Sequence, residues 1–103
     1  MYASISEIKQ ANRAAGFTWF GEREMHAFGT VIIDEVYGGR YFVTYDTDGG
    51  SIKGFTIREC DDDGDVHTAR ESAGLCGYRT AGEAARAASA LANTAGDAIR
   101  GHG

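Results

Sequence analysis

The sequence predicts an α+β domain: a three- to four-stranded antiparallel sheet (a meander) with an N-terminal helix, a short second helix and a C-terminal helix packed on the sheet. Apolar residues at helical spacing occur near both ends of the 103-residue chain, and the alternation typical of strands occurs between them. Short turn sequences rich in Gly and Asp separate the alternating stretches, which favours an antiparallel meander. The length suits one domain over residues 1–103.

The first helix is predicted over residues 5–15. Ser4 and Glu7 have the spacing of a capping box, in which the two side chains satisfy free amides at a helix start. Apolar residues follow at helical spacing, and Gly16 supplies a left-handed stop. A short second helix is predicted over residues 22–28, where Gly again follows the apolar positions.

The centre of the chain is rich in β-branched and aromatic residues, which are typical of strands. Gly38-Gly39 suits a two-residue hairpin turn, residues 46–51 form a second turn cluster, and Asp63-Gly64 is a third turn pair. The strands are predicted over residues 30–37, 40–45, 54–60 and 66–72, with the last at an edge.

The C-terminal helix is predicted over residues 80–93. Thr80 and Glu83 form a second capping box. Small and apolar residues then recur at four- and three-residue steps, so the helix can approach the sheet closely through Ala84, Ala88 and Leu91. Residues 93–103 carry three glycines and are expected to fray.

The charge of the chain is uneven. The formal net charge is −5, and the segment from Asp34 to Asp65 holds nine acidic residues against three basic ones. An acidic field repels nucleic acid and attracts basic protein surfaces, so direct nucleic-acid binding is not expected. The sequence has no apolar run long enough to span a membrane and no signal peptide, which predicts a cytoplasmic protein.

The aspartate run invites a calcium-site hypothesis. Asp61, Asp63 and Asp65 resemble the first ligands of a calcium loop, but Val66 and Ser72 stand where such a loop needs Gly and Glu. A solvated turn that also contacts a partner is the preferred interpretation, so no metal is predicted.

The cysteines and a histidine raise two further hypotheses, a zinc site and nucleophilic catalysis. Cys60, His67 and Cys76 have spacings that match no zinc motif, and no orienting group or oxyanion element accompanies them for nucleophilic catalysis. We therefore expect free thiols, no cofactor and no enzyme, with a small enzyme that uses these three residues as an alternative.

Several stretches resemble small uncharacterised proteins carried by bacteriophages and mobile elements. They are IKQANRAAG at 8–16, WF at 19–20, RYFVT at 40–44, FTIR at 55–58 and GYRTAGEA at 77–84. The resemblance spans residues 5 to 90 and carries no catalytic residues. It implies, at the level of the class, an inhibitor of host defence such as an anti-CRISPR protein.

The leading hypothesis is a phage-encoded inhibitor that binds a basic, nucleic-acid-binding surface of a bacterial (Cas-type) protein or nucleoprotein defence complex in the host cytoplasm. Carboxylates on one strand face would stand in for a line of phosphates. The alternatives are an acidic solvated face that only maintains solubility and a phage structural or assembly protein. A homodimer is compatible with these hypotheses. The predicted partner-binding residues are Asp46, Asp48, Glu59, Asp61, Asp62, Asp63, Asp65, Trp19, Tyr37, Tyr41 and Tyr45.

Overall fold

A four-stranded antiparallel sheet lies between two helices in the computed structural model, which describes residues 1–21, 30–48 and 50–101. The strands follow one another in the sheet in chain order, as a meander. This confirms the predicted α+β class, whereas the short helix predicted over residues 22–28 lies outside the described residues. The elements are α1 (Ile5–Ala14), β1 (Thr30–Val31), β2 (Tyr41–Asp48), β3 (Ser51–Cys60), β4 (Val66–Thr68) and α2 (Ala81–Gly101).

Helix α1 has the predicted start and ends one residue before its predicted end. The Ser4 hydroxyl accepts a hydrogen bond from the Glu7 amide at 3.2 Å, and the Glu7 carboxylate accepts one from the Ala3 amide. Gly16 follows the helix with a φ of +89°, a conformation in which a side chain would be strained. The capping box therefore fixes the first turn, and the face with Ile5, Ile8 and Asn12 is buried.

Strand β1 is shorter than the predicted strand over residues 30–37. Thr30 pairs with Tyr45 and the Ile32 amide still reaches the Val43 carbonyl, but the next pairing joins Tyr37 to Tyr41. Residues 33–36 therefore lie opposite Phe42 alone and cannot all join the ladder. The predicted glycine turn is present, with positive φ at Gly38 and Gly39.

The β2–β3 hairpin is longer than predicted. The turn cluster expected over residues 46–51 is shorter than predicted, because Asp48 pairs with Ser51 across the hairpin. A register shift between Asp46 and Thr47 makes room for one additional residue, Lys53, on β3. Strands β2 and β3 are thus paired as far as Asp48 and Ser51, beyond their predicted ends.

Strand β4 ends at Thr68 instead of Ser72. The Ser72 amide and hydroxyl both donate to the Ala69 carbonyl, at 3.3 and 2.6 Å, and this turn takes the chain out of the sheet. Its predicted position at an edge is confirmed, since β3 is the one strand among the described residues that pairs with β4.

Each face of the sheet has its own core. Helix α2, whose N-terminus is capped by Thr80, covers one face through the predicted residues Ala84, Ala88 and Leu91, and it continues to Gly101, past its predicted end. We call this the α2 face; its buried strand residues are Val43, Phe55 and Ile57. The opposite α1 face is formed by Ile5, Ile8, Phe42, Cys60 and Val66. Neither described helix is apolar over a length that could cross a membrane.

Candidate functional site

The predicted acidic residues are divided between the two ends of the sheet. Residues 61–65, which we call the acidic turn, join β3 to β4 at the end where the β1–β2 turn also lies. Asp46 and Asp48 belong to the opposite end, next to the tip of the β2–β3 hairpin. The carboxylates therefore do not form the single row along a strand that the sequence suggested.

The acidic turn is held by its own first residue. Oδ1 of Asp61 accepts hydrogen bonds from the amides of Asp63 and Asp65, at 2.9 and 3.1 Å. Gly64 has a φ of +85° and its carbonyl accepts a 2.8 Å hydrogen bond from the buried Asn12 amide group on α1. The turn is thus a defined structure that is fastened to α1.

The carboxylates of this turn differ in exposure. The side chain of Asp62 is 83% exposed, and Asp63 is also exposed, whereas Asp61 and Asp65 are half-buried. The Asp61 carboxylate is used in hydrogen bonds within the turn, so Asp62 and Asp63 are the most exposed carboxylates of the turn.

Arg40 partly neutralises this end of the sheet. Its guanidinium lies 3.2 Å from Glu59 and 3.6 Å from Asp62. Glu59 belongs to the α2 face, because it shares the alternation of Phe55 and Ile57, and its side chain is only 15% exposed. Glu59 therefore acts mainly as the internal partner of Arg40.

Asp46 is the internal partner of a second arginine. Its Oδ1 lies 3.8 Å from Nη2 of Arg58, whose side chain is 5% exposed. Burial lowers the pKa of the Arg58 guanidinium, and the charge of Asp46 opposes that shift. Among the described residues Oδ1 of Asp46 accepts no hydrogen bond, so its interaction with Arg58 is electrostatic.

Arg58 is the centre of a polar layer on the α1 face, which the sequence analysis did not identify as a site. Its Nε donates to Thr44 at 3.1 Å and its Nη1 donates to Thr68 at 2.8 Å, on the strands to either side. The guanidinium also lies 5.6 Å from the centre of the Trp19 ring, a cation–π distance. The available signal was that threonines alternate with the apolar residues on three consecutive strands.

Cys76 borders this polar layer. Its amide donates to Thr56 at 2.8 Å, its thiol donates to Oδ2 of Asp46 at 3.3 Å, and its φ is +55°. Burial and the neighbouring carboxylate raise the pKa of the Cys76 thiol. Burial likewise raises the pKa of Cys60 in the α1-face core. Both shifts reduce the thiolate fraction at neutral pH, which argues against a cysteine nucleophile.

The three residues considered for zinc or catalysis are not brought together. Cys60 is buried at the α1 face, Cys76 lies beside Asp46, and both are free thiols. His67 is half-buried and its Nε2 lies 4.0 Å from Asp61. Over the part of the chain that the structure describes, no group of three His, Cys, Asp or Glu side chains could hold a metal ion.

The four predicted interface aromatics do not form one patch. Tyr37, Tyr41 and Tyr45 are half-buried and pack on the α2 face. Trp19 lies on the opposite face, where its ring makes edge contacts with Phe20 at 4.7 Å and Phe42 at 5.8 Å. These side chains therefore belong mainly to the two cores.

One family model matches the chain, over residues 4–89, from the N-cap of α1 into α2. Its description is a family of unknown function. A search of the curated proteins finds no match, and a search of the solved structures finds none either. Because the matched residues cover most of its length, the chain belongs to this family of unknown function, DUF7447.

Proposed function

We propose that this chain is a protein-binding module that uses the acidic turn to occupy a basic, nucleic-acid-binding surface of a partner. The observation that carries the proposal is the exposure of Asp62 and Asp63 on a turn whose backbone is fixed by Asp61 and by Asn12. A fixed turn presents its charges without an ordering cost on binding, which is the usual advantage of a preorganised site.

The surroundings of the turn strengthen its negative field. Asp34 and Glu35 are exposed in the loop before the β1–β2 turn, at the same end of the sheet. Arg40 pairs with two of the carboxylates at this end, Glu59 and Asp62. A surface with this excess of carboxylates would speed association with a basic surface and would orient the encounter.

The class of partner comes from the resemblance to phage-encoded proteins. Within that class the basic surface would belong to a bacterial defence complex of the Cas type, and occupying it would prevent the complex from binding its nucleic acid. The chain would then be a host-defence inhibitor that acts by occupancy in the host cytoplasm.

The test is competition with nucleic acid. Purified Cas-type effector complexes are incubated with labelled target nucleic acid, and fluorescence anisotropy follows its displacement by the chain. We expect displacement at one chain per binding site, weakened as salt rises, because screening shortens to roughly 8 Å at physiological ionic strength. Displacement at far lower ratios, with a covalent change in the complex, would instead indicate an enzyme.

The matched variants isolate the acidic turn. Asp62→Asn with Asp63→Asn removes its two freest charges and leaves the Asp61 hydrogen bonds in place. Glu83→Gln removes one exposed charge at the start of α2, beyond the sheet. We expect slower association for the first variant and an unchanged rate for the second. Equal association rates and equal salt dependence for both variants would refute the proposed role of the turn.

A further inference from the structure

A cleft of about 150 Å³ lies between α1 and the loop that follows it. Its lining, as far as the described residues show it, combines cationic, aromatic and small polar groups without an acidic side chain, although the chain as a whole is acidic. The lining residues are Lys9, Asn12, Arg13, Phe17, Thr18, Phe20 and Gly21.

Two exposed cations line the cleft. Lys9 and Arg13 are four residues apart and therefore lie on one side of α1. Both are exposed, and neither forms an ion pair with any of the described residues. Two neighbouring cations that have no carboxylate partner among the described residues favour an oxyanion between them.

The aromatic wall of the cleft is packed against the α1 face. The Phe20 ring is held by Trp19 at 4.7 Å and by Phe42 at 5.9 Å, and Nζ of Lys9 lies 5.8 Å from its centre. Phe17 is 39% exposed at the cleft. A planar ring that enters the cleft would bury this aromatic surface, while its charged group would remain near the cations.

The loop itself is fixed to the end of α1. The Phe17 amide donates to the Asn12 carbonyl at 3.0 Å, and the Trp19 amide donates to Oδ1 of Asn12 at 3.1 Å. The Gly21 amide closes a turn on the Thr18 carbonyl at 2.8 Å. The cleft is thus a preformed site and does not need the loop to fold around a ligand.

We propose that this cleft binds a small ligand with one planar ring and one oxyanion, a carboxylate or a phosphate. The volume sets the size, because a cavity on this order holds a single six-membered ring. The cleft lies beside the acidic turn, since its lining residue Asn12 donates a hydrogen bond to the Gly64 carbonyl, but the charge of the described lining is opposite. It therefore gives the chain a small-molecule function besides the proposed binding of a partner.

The experiment is a titration of the chain with four probes, followed by amide chemical shifts. Benzoate and phenyl phosphate carry both ring and oxyanion, benzyl alcohol lacks the charge, and inorganic phosphate lacks the ring. We expect saturable binding of benzoate or phenyl phosphate with a Kd of about 1 mM or tighter. The stronger of the two identifies the oxyanion, and the shifts should centre on the loop residues of the cleft.

Variants test the cations directly. Lys9→Gln with Arg13→Gln should weaken binding roughly tenfold or more, because charge-assisted hydrogen bonds are lost. Arg70→Gln with Arg86→Gln makes the same change in net charge at exposed positions outside the cleft and should leave the Kd within about twofold. Equal thermal midpoints for the two variants show that both are folded.

Four results would overturn the proposal. They are equal binding of benzyl alcohol and benzoate, equal binding of inorganic phosphate and phenyl phosphate, an unchanged Kd in the Lys9 and Arg13 variant, and no saturable binding of either ring-bearing anion up to about 10 mM.

Discussion

Replacing Asp46 by Asn removes the negative charge that faces the Arg58 guanidinium on the α1 face of the sheet. The atoms are 3.8 Å apart, and at an effective dielectric constant of about 20 Coulomb's law gives an attraction of about 4 kcal/mol. Thr44, Thr68 and the Trp19 ring continue to hold the guanidinium. We therefore expect the free energy of unfolding to fall by about 2–4 kcal/mol, close to the usual cost of breaking a buried pair.

The assay is urea unfolding followed by circular dichroism, with Asp62→Asn as the matched control. Asp62 pairs with Arg40 at the surface, so its replacement should cost less than about 1 kcal/mol. In an Arg58→Met background, the Asp46→Asn change should also cost less than about 1 kcal/mol, because the charge it compensates is gone. A cost for Asp46→Asn no larger than that for Asp62→Asn would show that the pair is not a buried one.

Three further outcomes follow from the packing. Ala88→Leu should lower the free energy of unfolding by about 1–3 kcal/mol in a thermal melt, because Ala88 is fully buried on the side of α2 that packs on the sheet. Exposed Ala90→Leu should not, and equal melts would contradict the packing face. In urea unfolding, Gly64→Ala should cost at least about 1 kcal/mol more than Gly50→Ala. Both glycines have positive φ, but of the two only Gly64 would place a Cβ 2.7 Å from a carbonyl oxygen of α1. Equal costs would mean that the acidic turn is not fastened to α1 at Gly64. Burial, followed by the neighbouring thiol and carboxylates, raises the pKa of Tyr2 to about 12. The stabilising contribution of Tyr2 is therefore present below pH ~10 and lost as the pH rises towards 12. The loss of stability over that range should be smaller in Tyr2→Phe, and identical stability–pH profiles of the two proteins would refute this expectation.

Local signals in the sequence predicted the starts of the two described helices and one turn well. The capping box at Ser4, the stop at Gly16 and the small stripe around Ala88 each depend on residues within a few positions of one another. The same holds for the turn at Asp63-Gly64. Such features could be predicted because neighbouring residues decide them, whatever the remainder of the chain does.

Strand ends were predicted less well. A β-branched composition favours an extended backbone, but it does not say whether a partner strand lies opposite. Residues 33–36 include the strand formers Ile33 and Val36, and they leave the ladder because Phe42 is the single residue across from them. At the hairpin tip the error is reversed, since Asp48 and Ser51 look like turn residues and are paired.

The candidate site was predicted only in part. The sequence placed acidic residues near a turn, and the structure shows that Asp62 and Asp63 are exposed there. It did not separate them from Asp46, whose partner Arg58 is twelve residues away and lies on the neighbouring strand. Pairing of this kind depends on strand register, which a charge count along the chain does not contain.

The unequal faces of β3 also bear on how this hairpin avoids misfolding. Phe55 and Ile57 face α2, while Arg58 faces the opposite layer, so a slip of one residue against β2 would exchange the two sets. The guanidinium would then lie beneath Ala84 and Ala88, whose methyl groups offer it no acceptor. An all-apolar strand would tolerate the slipped alignment at modest cost, and it could pair with a second chain in the same way. The buried Arg58 thus disfavours the pairing of β3 with β2 in a register shifted by one residue.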